Sequence, residues 1–171
     1  MLRLSTKGEY GVRAMIEIAK DFNNTPLPIK VISQRQNLSS AYLEQIMNTL
    51  RRAGLVESLR GPGGGYVLAD KPDNISIGKI LKALEGPVAL ASCLEPSTDG
   101  CSQVEGCVAR LLWQSLSETI EKFLEKISLQ DLVSEQIKLA SCPDNCSSSI
   151  RKLYSAKNIN HNIQKKIQES S

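Results

Sequence analysis

A chain of 171 residues with a net charge of +3 is long enough for one domain of ordinary size plus an appendage, and can bury a core without disulfide staples. No charged-then-apolar leader opens it, and no apolar run approaches the roughly 20 residues that span a bilayer, so the expectation is a cytoplasmic protein with no membrane partner and reduced thiols. The charge is uneven: residues 1–80 carry 11 Lys and Arg against 7 Asp and Glu, residues 81–171 carry 10 against 11, and the first half is therefore the candidate for an anionic partner.

Between Leu4 and Phe22, apolar Val12, Met15, Ile16 and Ala19 recur at helical spacing, which predicts an amphipathic helix opening near Ser5 or Thr6. Asn23-Asn24-Thr25-Pro26 ends it. A short helix over Ile29–Gln36 follows, with Ile29, Val31 and Ile32 apolar. Ser39 is a good N-cap flanked by a Leu38/Leu43 staple, so a third helix starts at Ser39 or Ser40. Its apolar stripe is Leu43, Ile46, Met47 and Leu50, and Gly54 stands where a left-handed C-terminal cap belongs. Ser40, Ala41, Glu44, Gln45 and Asn48 form the opposite, polar face.

The period then changes. Leu55–Arg60 and Tyr66–Ala69 read as strands joined by Gly61-Pro62-Gly63-Gly64-Gly65. The expected fold is thus mainly α with a small β-hairpin, a winged helix-turn-helix followed by a long helix. The third helix would enter the major groove, where Glu44 can accept from cytosine N4 and Gln45 can pair bidentately with adenine. At the hairpin, Gly63, Gly64 and Gly65 would let backbone approach the duplex while Arg60 supplies charge. The alternative, a nucleotide-phosphate loop, lacks the Gly-Lys-Ser/Thr sequence and a following helix.

Cys93, Cys101 and Cys107 share a stretch rich in turn formers, separated by seven and then five residues. Thiolates are soft ligands for zinc or iron-sulphur clusters, but zinc sites pair their ligands two to four residues apart, so this spacing disfavours zinc. Val108, Leu112, Leu116, Ile120, Phe123 and Ile127 then recur along a helix whose other side carries Glu118, Glu121, Lys122 and Glu125. A stripe that long calls for a partner helix, with packing on its own domain as the alternative. The segment from about Ala140 is polar and expected to be partly disordered. Its Cys142 and Cys146 are either a redox pair, a weak metal site or incidental thiols. No general base near them and no Cys-x-x-Cys motif points to an enzyme.

Three stretches, LSTKGEYGVRAM, LSSAYLEQIMNTLRRAGLVESLRGPGGGYVLA and ISIGKILKALEGP, resemble the bacterial winged-helix regulators typified by IscR, NsrR, RirA and CymR, over Leu4 to about Gly86. The resemblance implies a homodimer on double-stranded DNA with a palindromic operator, its seam made by the long helix. It implies Ser40, Tyr42, Glu44 and Gln45 as recognition-helix contacts, Tyr42 being equally placed to pack beside Leu43. Arg60 and Gly63–Gly65 would be wing contacts. It also implies an iron-sulphur cluster, 4Fe-4S or 2Fe-2S, on Cys93, Cys101 and Cys107, with a spacing like that of RirA. The fourth ligand is open. The position used by a histidine in IscR-like members is Arg110, which cannot ligate. The position used by an aspartate of the partner subunit in NsrR-like members is Glu9, which could equally serve its helix dipole. A small thiol, water or a tail residue are the other candidates, and the lone His161 reads as solvated. The resulting domain plan is 1–86 for DNA binding, 87–107 for the cluster loop, 108–139 for the dimerisation helix and a short helix, and 140–171 for the tail. A cluster-dependent change of order over residues 91–107 would reset the two recognition helices. The rival reading is a cluster-free regulator responding to thiol oxidation or to a partner enzyme, as in CymR-like members.

Overall fold

The computed structural model describes residues 4–21, 25–94 and 107–141. Cys101, Cys142, Cys146 and His161 lie outside them. The chain divides into two compact units, Met1–Leu132 and Val133–Ser171. Helices α1 (Thr6–Lys20), α2 (Ile29–Gln36) and α3 (Ser40–Arg52) lead into strands β1 (Val56–Leu59) and β2 (Gly65–Leu68), followed by α4 (Ile77–Glu85), α5 (Val108–Glu125) and α6 (Leu129–Ser141). Short 3-10 turns occupy Pro72–Asn74 and Ser92–Leu94.

Local chemistry sets the helix starts. Ser5, Ser39 and Ser76 each accept a hydrogen bond from the backbone N–H three residues on, at 3.2–3.3 Å. Each such cap stabilises its helix by about 1 kcal/mol. At the start of α6, Ser128 and Asp131 exchange bonds, the Ser128 N–H donating to Oδ2 (3.0 Å) and the Asp131 N–H to the Ser128 hydroxyl (3.1 Å). This is a capping box with aspartate at its third position.

The core forms where α1, α3 and α4 meet. Met15, Leu43, Ile46, Met47, Leu50 and Ile80 are fully buried, joined by Ile32 of α2. Removing each such side chain from water contributes about 1.5–3 kcal/mol. The expected stripe of α3 is therefore present in full. That of α1 is displaced: Met15 and Ala19 are buried, but so are Gly8, Gly11, Ala14 and Ile18, while Val12 and Ile16 are only half-buried. Packing of α1 against α2, α3, α4 and β2 widens its buried arc beyond a single stripe. Its closest approach is to α4, where a Cβ on Gly8 would strike Glu85 and one on Gly11 would strike Leu84. Both glycines leave room for these α4 side chains against α1.

Strands β1 and β2 pair antiparallel, Val56 opposite Leu68 and Leu59 opposite Gly65. The chain ahead of α2 joins them, because Leu27 and Tyr66 exchange two backbone hydrogen bonds of 3.0 Å. The chain between α5 and α6 is tied to the start of α4: the Ile77 N–H donates to Ile127 O and the Leu129 N–H to Ile75 O, both at 2.8 Å. Gly78 permits the approach, since a Cβ there would lie 3.1 Å from the Glu125 backbone nitrogen. The stripe expected along one helix consequently divides. The helix ends at Glu125 and Ile127, beyond it, joins the core, whereas Leu112 and Val108 stay 59% and 78% exposed.

Candidate functional site

The exposed face of α3 is built by a turn that α2 cannot leave unspecified. Asn37 adopts the left-handed conformation (φ 53°), its N–H donating to Gln34 O and the next N–H, of Leu38, to Ser33 O. Asparagine tolerates that conformation because its short polar side chain keeps the steric cost low. Ser39 then caps α3, which turns Glu44, Gln45, Asn48, Arg51 and Arg52 to solvent. No described residue engages the side chains of Glu44 or Gln45, so both are available to a ligand along this face.

Ser40 and Tyr42, also expected on this face, are partly committed to the fold. The Ser40 hydroxyl donates to Ser33 Oγ (3.0 Å), and Ser33 in turn donates to Lys30 O (2.9 Å). Tyr42 is half-buried, its ring edge-on to Tyr10 with centroids 6.2 Å apart and its hydroxyl 3.5 Å from Thr6 Oγ1. The Arg13 guanidinium lies 5.6 Å from the centre of the Tyr10 ring. Tyr42 thus joins α1 to α3, and aromatic pairs of this kind contribute about 0.5–1.5 kcal/mol beyond burial. Sequence reading singled out neither Arg51 nor Arg52. Arg51 reaches Ser58 Oγ (3.4 Å) and so bridges α3 to the hairpin. Their position one turn beyond Asn48 on the polar face was the available signal.

The wing glycines separate by role. Gly63 (φ 78°) faces open space at the tip, beside exposed Arg60. Gly64 follows the tight turn closed by its own N–H to Gly61 O (2.9 Å), and a Cβ on it would strike Leu59 O. Gly65 abuts Leu27 and Pro28, where a Cβ would meet backbone atoms. Past β2, the Asp70 carboxyl is held below its usual range by the Asn74 side-chain amide (3.0 Å) and then by the Lys71 N–H (2.7 Å).

Of the three clustered cysteines, Cys93 and Cys107 are described, both as free and half-buried thiols. Cys93 sits in the Ser92–Leu94 turn, which packs on α5, and Cys107 is the residue that caps α5 without a side-chain bond of its own. The Val88 N–H donates to Glu121 Oε1 (3.0 Å), fixing the start of the run that leads to Cys93. Two soft donors are therefore anchored to one helix, a donor set that suits a thiolate-held cluster. Among the described residues no three metal-binding side chains converge. Arg110, one turn into α5, has a buried Nε with no hydrogen-bond partner among them. Glu9 is exposed in the first turn of α1, its carboxylate engaged by no described residue.

A helix-turn-helix with an exposed polar second helix and a glycine-tipped hairpin defines a winged-helix DNA-binding protein. Residues 4–135 match the Rrf2 family, described as iron-dependent transcriptional regulators, and the chain belongs to that family. The HTH-type transcriptional regulator IscR of Erwinia tasmaniensis is 40% identical over 151 residues, 88% of this chain and 90% of that protein. The IscR of Yersinia enterocolitica is 41% identical over 135 residues, 79% and 81% of the two chains. Among solved structures, T. potens IscR superposes with a TM-score of 0.67 at 37% identity, covering 84% of this chain and 94% of that one. CymR (YrzC), the global cysteine regulator of B. subtilis, does so with 0.66 at 42% identity, covering 79% and 98%. These relatives are named as transcriptional regulators, not as enzymes. No helix among the described residues is long and apolar enough to cross a membrane.

Proposed function

We propose that this chain is a cytoplasmic bacterial repressor, a homodimer on a palindromic DNA operator, whose affinity follows iron, iron-sulphur or redox status through a 4Fe-4S or 2Fe-2S cluster. The observation that carries the reading is the anchoring of both described thiols, Cys93 and Cys107, to α5, the helix that is itself bonded to the winged-helix core through α4. Cys93, Cys101 and Cys107 would hold the cluster, and Glu9 of the partner subunit is the proposed fourth ligand. A bound cluster would report iron and sulphur supply and, when damaged, oxidants or nitric oxide.

The chain's own part is mechanical. Holding the Ser92–Leu94 turn and the start of α5 together constrains the segment between α4 and α5, and α4 packs directly on α3. A coupling of about 1–3 kcal/mol through these contacts changes operator affinity roughly 5- to 150-fold. Ser40, Tyr42, Glu44 and Gln45 are the proposed groove contacts, with Arg60, Gly63, Gly64 and Gly65 at the wing. Glu44→Ala is expected to cost about 1–3 kcal/mol at its preferred base and relax specificity there, whereas Arg60→Ala should weaken all sequences alike and lower the salt slope by about one. Titrations on single-base-variant duplexes at several salt concentrations distinguish the two.

The test of the cluster is iron, sulphide and visible absorption of protein purified without oxygen. Cys93→Ala, Cys101→Ala and Cys107→Ala should each remove the chromophore, Glu9→Ala should remove or shift it, and Cys142→Ala and Cys146→Ala should spare it. A colourless wild type that takes up no cluster on reconstitution would favour the cluster-free reading. The 42% identity to CymR keeps that alternative in view.

A further inference from the structure

Glu17 is a carboxylate the DNA-binding reading does not use, yet it is only 5% exposed. Both oxygens are engaged. Oε1 accepts from Lys20 Nζ (2.7 Å) and Gln36 Nε2 (3.0 Å), and Oε2 from Arg35 Nη1 (3.2 Å). Arg35 also reaches Asp21 (3.4 Å), and the carbonyl end of the Gln36 side chain accepts from Arg13 Nε (2.7 Å). A carboxylate of α1 therefore grips two consecutive side chains at the C-terminal end of α2.

That grip matters because α2 has little else. Only Ile32 and Ser33 of its eight residues are buried, with Ile29 and Val31 half-buried, a narrow apolar footprint to which the polar ties at its C-terminal end add rotational definition. Arg35–Asp21 and Arg13–Gln36 also tie α2 to α1, and its polar tie to the recognition helix is Ser33, the acceptor of the Ser40 hydroxyl in the first turn of α3. Bonds thus run from Glu17 through Arg35 and Gln36 to α2, and from Ser33 to Ser40 in α3. In a helix-turn-helix the first helix crosses the phosphate backbone while the second reads the groove, so the angle between them sets register on DNA.

Resting on the DNA-binding reading, we infer that Glu17 is a positioning residue for sequence recognition: it orients α2 by charge-assisted hydrogen bonds and, through Ser33 and Ser40, seats the recognition helix. It also holds Lys20 and Arg35 in ion pairs, withholding two cations from indiscriminate phosphate contact.

The test compares the full-length chain, purified without oxygen, on two duplexes: one enriched by the wild-type protein from a randomised pool, and a scrambled version of it. Glu17→Gln should weaken the enriched duplex about tenfold, leave the scrambled duplex unchanged or tighter, and steepen its salt dependence. Ser33→Ala, which cuts the same route with the loss of one hydroxyl, should show a smaller loss of preference and carries the test if Glu17→Gln does not fold. The exchange Glu17→Gln/Gln36→Glu, which restores the carboxylate-amide pair beside Arg13 but not the bonds to Lys20 and Arg35, should recover preference in part. Equal weakening of both duplexes, in proportion to folded protein, overturns the inference, as does an unchanged preference. A wild type that enriches no sequence overturns the DNA reading itself.

Discussion

Leu112→Asp combined with Leu116→Asp is expected to convert the proposed homodimer to monomers and to lower operator affinity by about 100-fold or more, because the two half-sites of the proposed operator would no longer be bound as one ligand. Both leucines lie one turn apart on α5 and are exposed in the single chain, Leu112 by 59% and Leu116 by 39%. Val108, Leu111 and Trp113 extend the same apolar surface. A patch of that kind on one helix suits the seam of the proposed homodimer, where a carboxylate would be desolvated without a partner. The protomer core contains neither residue, so thermal unfolding of the variant should remain cooperative. Light scattering after size exclusion, beside an operator titration, checks both parts; a dimer that survives the double substitution would assign the seam elsewhere.

Gly65→Ala is expected to destabilise the wing by about 3–5 kcal/mol, combining overpacking of about 1–3 kcal/mol with loss of the two Leu27–Tyr66 hydrogen bonds at about 1 kcal/mol each. The new methyl would meet the Leu27 carbonyl and the Pro28 nitrogen, which are backbone and cannot swing aside as a side chain could. The melting temperature should fall by about 2–4 °C for each kcal/mol lost. Gly63→Ala is the control. It meets nothing within 4 Å and carries only the strain of φ 78°, about 1–2 kcal/mol. If its operator affinity falls by more than its stability explains, the tip of the wing approaches DNA closely. Melting curves and titrations of the two variants side by side separate a glycine kept for folding from one kept for the duplex.

Much of the DNA-binding half was legible because its signals are local. Ser5 and Ser39 announce helix starts three residues from the N–H groups they accept, and the stripe Leu43, Ile46, Met47 and Leu50 states its period within about two turns. The change to alternating residues around a glycine run located the hairpin to within one residue at either strand. The site was legible as a polar face, and less so as individual contacts. Ser40 was visible on that face and Tyr42 was named through the resemblance, but the Ser40–Ser33 bond to the preceding helix and the contacts of Tyr42 with Thr6 and Tyr10, more than thirty residues earlier, are set by how the helices pack. In the same way, no local rule reveals that Gly8 and Gly11 serve α4 or that Gly78 admits α5.

The sequence by itself therefore determined the order of the first three helices and the hairpin, the caps at Ser5 and Ser39, the core face of α3 and the presence of three clustered thiols, since each depends on residues within a turn or a fixed spacing of one another. Only the tertiary structure decided how far the α5 stripe belongs to its own domain, with Ile127 buried and Leu112 exposed, and that Glu17 is buried among three α1 and α2 side chains rather than solvated. Those outcomes depend on which surfaces meet: a helix face becomes core or interface, and a carboxylate becomes an anchor, only when another element removes it from water.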